Sequence, residues 1–304
     1  MSSVRDAVYF MAMATMWALN YPLLKIALQY EAPLFVLLFR VAFGALFSLV
    51  IIGGFRNIPR GLGDNLLVMV TGLLNSALFM GFWFLGENTE PASISSIIIY
   101  TFPIMNVVLS YFFLKERVTG TRIAGVVTGF AGMFIIFAEQ LSLSLNAGLI
   151  YLVLAAFVWS VSAVIYKKYL VGRSVGGVNA LQFAYSVPFV LLWAAVSEKF
   201  SVSGINLTFI LIAVYMGLFG SAFAYLIYFQ LMRKYDVTRI SGMFFLVPAV
   251  SVVLSYALLG ETNSIYTYFG FGLISLGIFI GSRDGPKKVS APEHPEETVQ
   301  RFRE

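Results

Sequence analysis

Side chains able to do chemistry are sparse in this 304-residue chain. Cysteine is absent and the single histidine, His294, stands near the C-terminus, so thiolate nucleophiles, thiolate metal sites and imidazole relays have nothing to be built from. The fifteen Asp and Glu all fall at the edges of apolar runs, between them or in the terminal tail, which leaves no paired carboxylates for acid–base or metal work inside a run. No enzyme, cofactor or metal is expected on these grounds. What remains suits recognition. Arg40 stands about seven residues into an apolar run, roughly 10 Å deep at 1.5 Å per residue. A guanidinium at that depth must face protein or a watery cavity. It either holds a substrate carboxylate or pairs with backbone carbonyls, and the sequence leaves both open. Around it, Trp17, Asn20 and Tyr21 follow one helical stripe, Tyr100 lies on another with Asn106 beside it, and Trp159, Ser162 and Tyr225 lie on two more. Rings, hydroxyls and amides converging in this way would bind an amphipathic ligand. The competing explanation is packing, since 16% of the chain is aromatic.

The elements that must position these groups follow from composition. Hydrophobic residues make up 59% of the chain and charged residues 12%, with a mean hydropathy of +0.86. A soluble domain carries roughly 25% charged residues. The solvent for this surface is lipid, and nucleic acid is not a partner. Ten apolar runs are long enough to read as spanning helices: about 7–28, 33–53, 65–86, 92–114, 121–138, 147–167, 178–197, 207–232, 238–259 and 265–282. The first is expected to be a retained span and not a cleaved signal. Lys and Arg alternate between the linkers. One side carries Arg5, Arg56, Arg60, Lys115, Arg117, Arg122, Lys167, Lys168, Arg173, Arg233, Lys234, Arg239, Arg283, Lys287 and Lys288, and the other only Lys199. The basic side is the cytoplasmic one, so a cell-membrane protein with both termini in the cytoplasm is expected. Lys25, near the outer end of the first run, is expected to snorkel to the headgroups.

The chain also contains one stretch twice. Pro103–Glu116, PIMNVVLSYFFLKE, matches Pro248–Glu261, PAVSVVLSYALLGE, at an offset of 145, and Gly72, Ser76, Ser96 and Gly132 fall on Gly217, Ser221, Ser241 and Gly277 at the same offset. At an offset of 142, Trp17 and Lys25 fall on Trp159 and Lys167. The fold expected is therefore all-α, with ten transmembrane helices as two five-helix repeats, 5–140 and 146–283, and a polar tail, 285–304, that reads as disordered. Five spans is an odd number, so the second repeat sits upside down relative to the first, an arrangement that lets two near-equivalent halves open either face in turn. Pro103 and Pro248 each remove one helix hydrogen bond and are expected to hinge the paired gate helices. The pairs Gly125/Gly129 and Gly277/Gly281 are close-packing signals; contact inside a monomer is the expected use, and a weak homodimer the other.

Trp17, Asn20 and Pro22, the Ser95–Pro103–Glu116 segment ending in KERVTG, and its copy Ser241–Pro248–Glu261 resemble the drug/metabolite transporter superfamily, in its ten-helix form with two EamA-type domains. The resemblance covers about 5–283. It implies a central cavity lined by spans one, three and four with six, eight and nine, and a small metabolite as substrate, often an amino acid moving outward. A secondary transporter for a small amphipathic molecule is the function expected. With no carboxylate or histidine in mid-span, a facilitator or exchanger fits better than a proton antiporter. A carrier of drugs, nucleotide sugars or phosphorylated metabolites, or a channel, would use the same framework.

Overall fold

The computed structural model describes residues 4–54, 58–114, 119–143, 147–199, 204–235, 237, 244 and 246–282. Glu116, Ser241 and the tail 285–304 lie outside these residues, as do Arg56, Lys115, Arg117, Arg239, Arg283, Lys287 and Lys288 of the charge pattern. The helices are α1 Val4–Ala27, α2 Pro33–Ile51, α3 Leu62–Thr89, α4 Ala92–Leu114, α5 Gly120–Leu143, α6 Ala147–Leu170, α7 Val175–Ser197, α8 Leu207–Lys234, α9 Leu246–Leu259 and α10 Ile265–Ser282. Seven of them are long and apolar enough to cross a membrane, and the apolar stretches of α5, α9 and α10 are shorter. The expected ninth span, 238–259, is helical from Leu246 among the described residues.

Four of the long helices are not uniform, and α6 closes in a π-helical turn, Tyr166–Leu170. In α3 the turn Leu73–Leu78 is a π-helix, and in α8 the turn Leu218–Phe223 is another, at the same offset of 145 that relates the two halves. A π-turn inserts one residue and redirects carbonyls away from the regular ladder. Helix α4 is broken into Ala92–Ile99 and Phe102–Leu114. The interruption lies just before Pro103. Pro103 is the second residue of the new helix, where a missing N–H costs nothing, and the break itself falls at Tyr100 and Thr101. There the backbone N–H and hydroxyl of Thr101 both donate to Ile98 O, at 3.1 and 2.7 Å, and Ser160 of α6 donates to Phe102 O at 3.1 Å. Pro248 likewise stands in the first turn of α9.

The two halves exchange partners. Helix α1 packs on α8 and α9 of the second half, and α6 packs on α3 and α4 of the first. Asp6 at the start of α1 and Lys167 at the end of α6 both meet the end of α8: Lys234 pairs with Asp6 at 2.8 Å, and Lys167 donates to Met232 O at 2.8 Å and Tyr235 O at 3.1 Å. At the other end, Lys25 donates to Glu87 O, Asn88 O and Glu90 O at 2.7, 3.3 and 2.8 Å. Helices α1 and α6 are thus antiparallel, and the halves are inverted. Lys25 does not snorkel. Its ammonium caps the last carbonyls of α3, as Lys167 caps α8, a use of cations that orphaned helix C-terminal carbonyls favour.

Helices α5 and α10 form a separate pair beside this bundle. A Cβ at Gly277 would stand 2.5 Å from Gly125 O and 2.6 Å from Gly129 N, so the small residues bring two backbones together within one chain. Phe134, Tyr266, Phe269 and Phe279 of the pair are exposed, as a lipid-facing surface requires. Gly277→Ala should destabilise the protein by about 1–3 kcal/mol through overpacking against backbone, whereas Gly120→Ala, with open space around the added methyl, should change stability by less than about 0.5 kcal/mol. Thermal unfolding in detergent, followed by circular dichroism, measures both.

Candidate functional site

Where α1, α2, α3, α4, α6 and α8 converge, the side chains of Trp17, Tyr21, Arg40, Phe79, Trp83, Tyr100, Trp159 and Tyr225 line a narrow cavity that their own rings nearly fill. Helix α1 brings Trp17 and Tyr21 to it because the two lie one turn apart. Trp17 and Trp159, equivalent residues of the two halves, meet edge to face at 5.7 Å. Phe79 stacks on Trp159 at 4.8 Å and on Trp83 at 6.0 Å, Tyr21 lies 4.6 Å from Trp83, and Tyr225 meets Trp17 at 5.3 Å. These separations fall in the range where ring pairs attract beyond their area burial. The result is an aromatic box with one fixed cation.

Arg40 is that cation. It is 1% exposed, with its guanidinium carbon 5.0 Å over the Trp83 ring, a cation–π distance. Its Nε donates to Ser221 Oγ at 3.1 Å and one terminal nitrogen to Gly220 O at 3.4 Å; the other terminal nitrogen, Nη1, has no partner among the described residues. The two acceptors belong to the π-turn of α8, where Gly220 O also accepts from the Trp17 indole at 3.0 Å. Of the two uses foreseen for Arg40, the structure shows the pairing with backbone, which orients the side chain. A second donor of the lining, Trp159 Nε1, is also buried and without a partner.

Gln182 of α7, the counterpart of Arg40, is bound up differently. It accepts from Asn75 Nδ2 and donates to Asn179 Oδ1, both at 2.9 Å, and Asn179 passes the chain on to Ala222 O at 2.9 Å. Tyr225, in the cavity wall, donates to Asn75 Oδ1 at 3.4 Å. The amides of the second half thus close on one another and on Asn75 and Ser48 of the first, while the first half's cation faces the box.

Of the residues foreseen as binding, the structure brings Trp17, Tyr21, Arg40, Tyr100, Trp159 and Tyr225 together in the lining, and places Asn20, Asn106 and Ser162 outside it. Asn106 is fully buried on the second piece of α4, which packs on α6, and neither of its amide atoms has a partner. Ser162 is buried on α6. Asn20 donates to Met16 O at 3.1 Å and fills the space beside Gly220, where a Cβ would lie 2.5 Å from Asn20 Nδ2. At the equivalent place in the other half the sizes are reversed, with Ser162 short and Asn75 long. Phe79 and Trp83 were not foreseen. Their spacing of four with Glu87 four further on, all on α3, was the available signal, and the π-turn before them obscured it.

The reversed sizes make Asn20 and Gly220 a coupled pair. Gly220→Ala alone should cost about 1–3 kcal/mol by overpacking, and adding Asn20→Ser should recover at least about 1 kcal/mol of it. A double-mutant cycle on thermal stability in detergent measures the coupling, and additive effects would contradict the packing described.

A family model described as the EamA-like transporter family matches residues 6–138 and again 146–283. The chain is 28% identical over 292 residues to the uncharacterized transporter YvbV of Bacillus subtilis, covering 94% of this chain and 95% of that one. It is 26% identical over 275 residues to an uncharacterized transporter of Archaeoglobus fulgidus, covering 88% and 94%. It is 24% identical over 289 residues to a probable amino-acid metabolite efflux pump of Escherichia coli, covering 91% and 95%. A solved crystal structure with 17% identity superposes with a TM-score of 0.70 over 92% of this chain and 98% of that one, which establishes the shared fold. The inverted halves and the matches over both of them have one reading: this multi-pass membrane protein belongs to the EamA-like transporter family.

Proposed function

We propose that the chain is a secondary transporter for a small amphipathic carboxylate, an amino acid first among them, moved outward or exchanged by alternating access of its two repeats, 5–140 and 146–283. The observation that carries this reading is the pair of unpartnered donors in the cavity, Arg40 Nη1 and Trp159 Nε1, set among aromatic rings. Buried donors without acceptors cost free energy unless a ligand satisfies them, and a guanidinium donor is suited to a carboxylate oxygen. The rings supply the apolar part of the site. A nucleotide sugar or other phosphorylated metabolite would bring at least two negative charges, against one guanidinium in the lining, so the carboxylate is favoured. The name of the Escherichia coli relative supports the amino acid as first choice. By the distribution of Lys and Arg, the end carrying Asp6 and Lys234 faces the cytoplasm of a cell-membrane protein, and the cavity is built within a single copy.

Counterflow into proteoliposomes, with a panel of amino acids and the matching amines that lack a carboxylate, tests the proposal. Carboxylate-bearing compounds should drive counterflow and their amines should not. Arg40→Gln, which installs the counterpart's residue, should raise KM about 10–100-fold, the loss of a charge-assisted bond worth about 1.5–3 kcal/mol. Trp159→Phe keeps a ring in place and should raise it about 2–12-fold for a bond worth about 0.5–1.5 kcal/mol. Flux without counterflow would mean a channel, and equal transport of the amines would remove Arg40 from the site.

A further inference from the structure

The repeated segment turns its polar side chains inward in both copies. On the second piece of α4, past its first turn, the buried residues are Asn106 and Ser110, whereas Val108, Tyr111 and Phe112 are exposed. On α9, past its first turn, they are Ser251 and Ser255, with Val253 and Tyr256 exposed. Asn106 and Ser110 fall on Ser251 and Ser255 at the offset of 145, and each pair, four residues apart, forms one stripe of its helix. All four are at most 1% exposed, and none of their side-chain polar atoms has a hydrogen-bond partner among the described residues. Hydroxyls inside other helices of this chain turn back on their own backbone: Thr71 donates to Leu67 O at 2.8 Å, Ser160 to Ala156 O at 2.9 Å and Ser186 to Phe183 O at 2.7 Å. Ser110, Ser251 and Ser255 do not. Nor do they or Asn106 bond across to another helix, the usual service of such residues between spans.

Both stripes begin at the aromatic box and lead away from it. Tyr100, in the lining, comes just before the second piece of α4, and Phe244, just before α9, lies 5.9 Å from the Trp17 ring and 6.2 Å from that of Trp159. From there α4 runs to Leu114 on the side rich in Lys and Arg, and α9 to Leu259 on the other. Ser110 stands about 15 Å beyond Tyr100 along its helix, at 1.5 Å per residue. Each helix packs on the first helix of the opposite half, the second piece of α4 on α6 and α9 on α1. We propose that the stripes are the polar walls of the two paths between the cavity and water, Asn106 and Ser110 for the cytoplasmic path, Ser251 and Ser255 for the outer one. In this conformation all four are buried, so both paths are shut and the four groups are dry. A group kept dry and unpartnered in every state costs free energy and returns nothing. Parting α4 from α6, or α9 from α1, admits water and then the charged end of the cargo, either of which satisfies them. The exposed rings of the same helices stay in lipid. The position of the paths stands on this geometry; only their alternation rests on the transporter reading above.

The chain has no cysteine, so single cysteines report without background. Ser110→Cys and Ser255→Cys of the full-length protein, in membrane vesicles of each orientation, are treated with a charged, membrane-impermeant thiosulfonate. The reagent attacks the thiolate and so needs water at the sulfur. Ser110→Cys should be modified from the cytoplasmic face and Ser255→Cys from the outer face. Each should react at least about tenfold faster than Val108→Cys and Val253→Cys, which stand at equivalent positions on the exposed sides of the same helices. If either serine variant does not fold, Asn106→Cys or Ser251→Cys, one turn nearer the cavity, takes its place. Rates no faster than those of the valine positions, or modification from the opposite face, would overturn the proposal and leave the carboxylate site intact. For the alternation, the double variant Ser110→Cys/Ser255→Cys is first modified from the cytoplasmic side. That should hold the cytoplasmic path open and slow the outer reaction at least about tenfold, because only one state exposes each cysteine. Two fast reactions, each indifferent to the other, would support the paths but overturn their alternation, and with it the transporter reading in favour of a channel.

Discussion

A backbone N–H or C=O without a partner costs several kcal/mol in hydrocarbon, and this structure is arranged around that cost. At five helix ends or breaks in the bundle, a side chain distant in sequence supplies the missing partner. Lys25 closes the end of α3 and Lys167 the end of α8. Glu198 receives Leu34 N and Phe35 N at the start of α2, at 2.9 and 3.2 Å. Glu261 receives Ala92 N and Ser93 N at the start of α4, and Ser160 reaches the carbonyl of Phe102 just past the break in α4. In three of these five contacts the donor and the acceptor belong to different halves. The halves are therefore held together by the same bonds that let their helices be irregular, and irregular helices are what place Arg40 and Trp17 against Gly220 O.

This explains what could be read from the sequence and what could not. Hydropathy and the alternation of Lys and Arg are local or additive signals, so the helices, their inversion and their approximate ends were legible. The repeated PIMNVVLSY segment was legible as well, but its role was not. Its glutamate, as Glu261, caps the first piece of α4, a contact between residues 168 or more apart in the chain that no periodicity reports. Pro103 carried a weak warning, because a residue before proline is pushed out of the helical region, and the break lies one residue before that. In α3 the reading failed for a geometric reason. The π-turn Leu73–Leu78 adds a residue, so every position after it is rotated by about 100° relative to a regular helix. Phe79 and Trp83 consequently face the cavity from a stripe that an unbroken count assigns elsewhere. Asn106 and Ser162 are buried on α4 and α6 but lie outside the lining of the cavity.

The remaining differences between the halves all point in one direction. Arg40 stands opposite Gln182, Glu87 opposite Met232, and Asn75 opposite Gly220. The first half supplies the cation and the acid. The second supplies two amides, Gln182 and Asn179, tied to each other and to Asn75 of the first half, plus a carbonyl and a hydroxyl, Gly220 O and Ser221 Oγ, that orient the cation. A perfectly symmetric pair would need two buried arginines or none, and two guanidiniums a few ångströms apart would repel strongly at low dielectric. Symmetry is retained in the parts that must do the same thing twice: the π-turns, the capping lysines, the tryptophans and the α5–α10 pairing. It is abandoned around the cavity, where Arg40 has Gln182 as its counterpart. One cation can occupy a shared cavity only if the other half gives up its own, and Gln182, turned away onto Asn75 and Asn179, is how this chain does so.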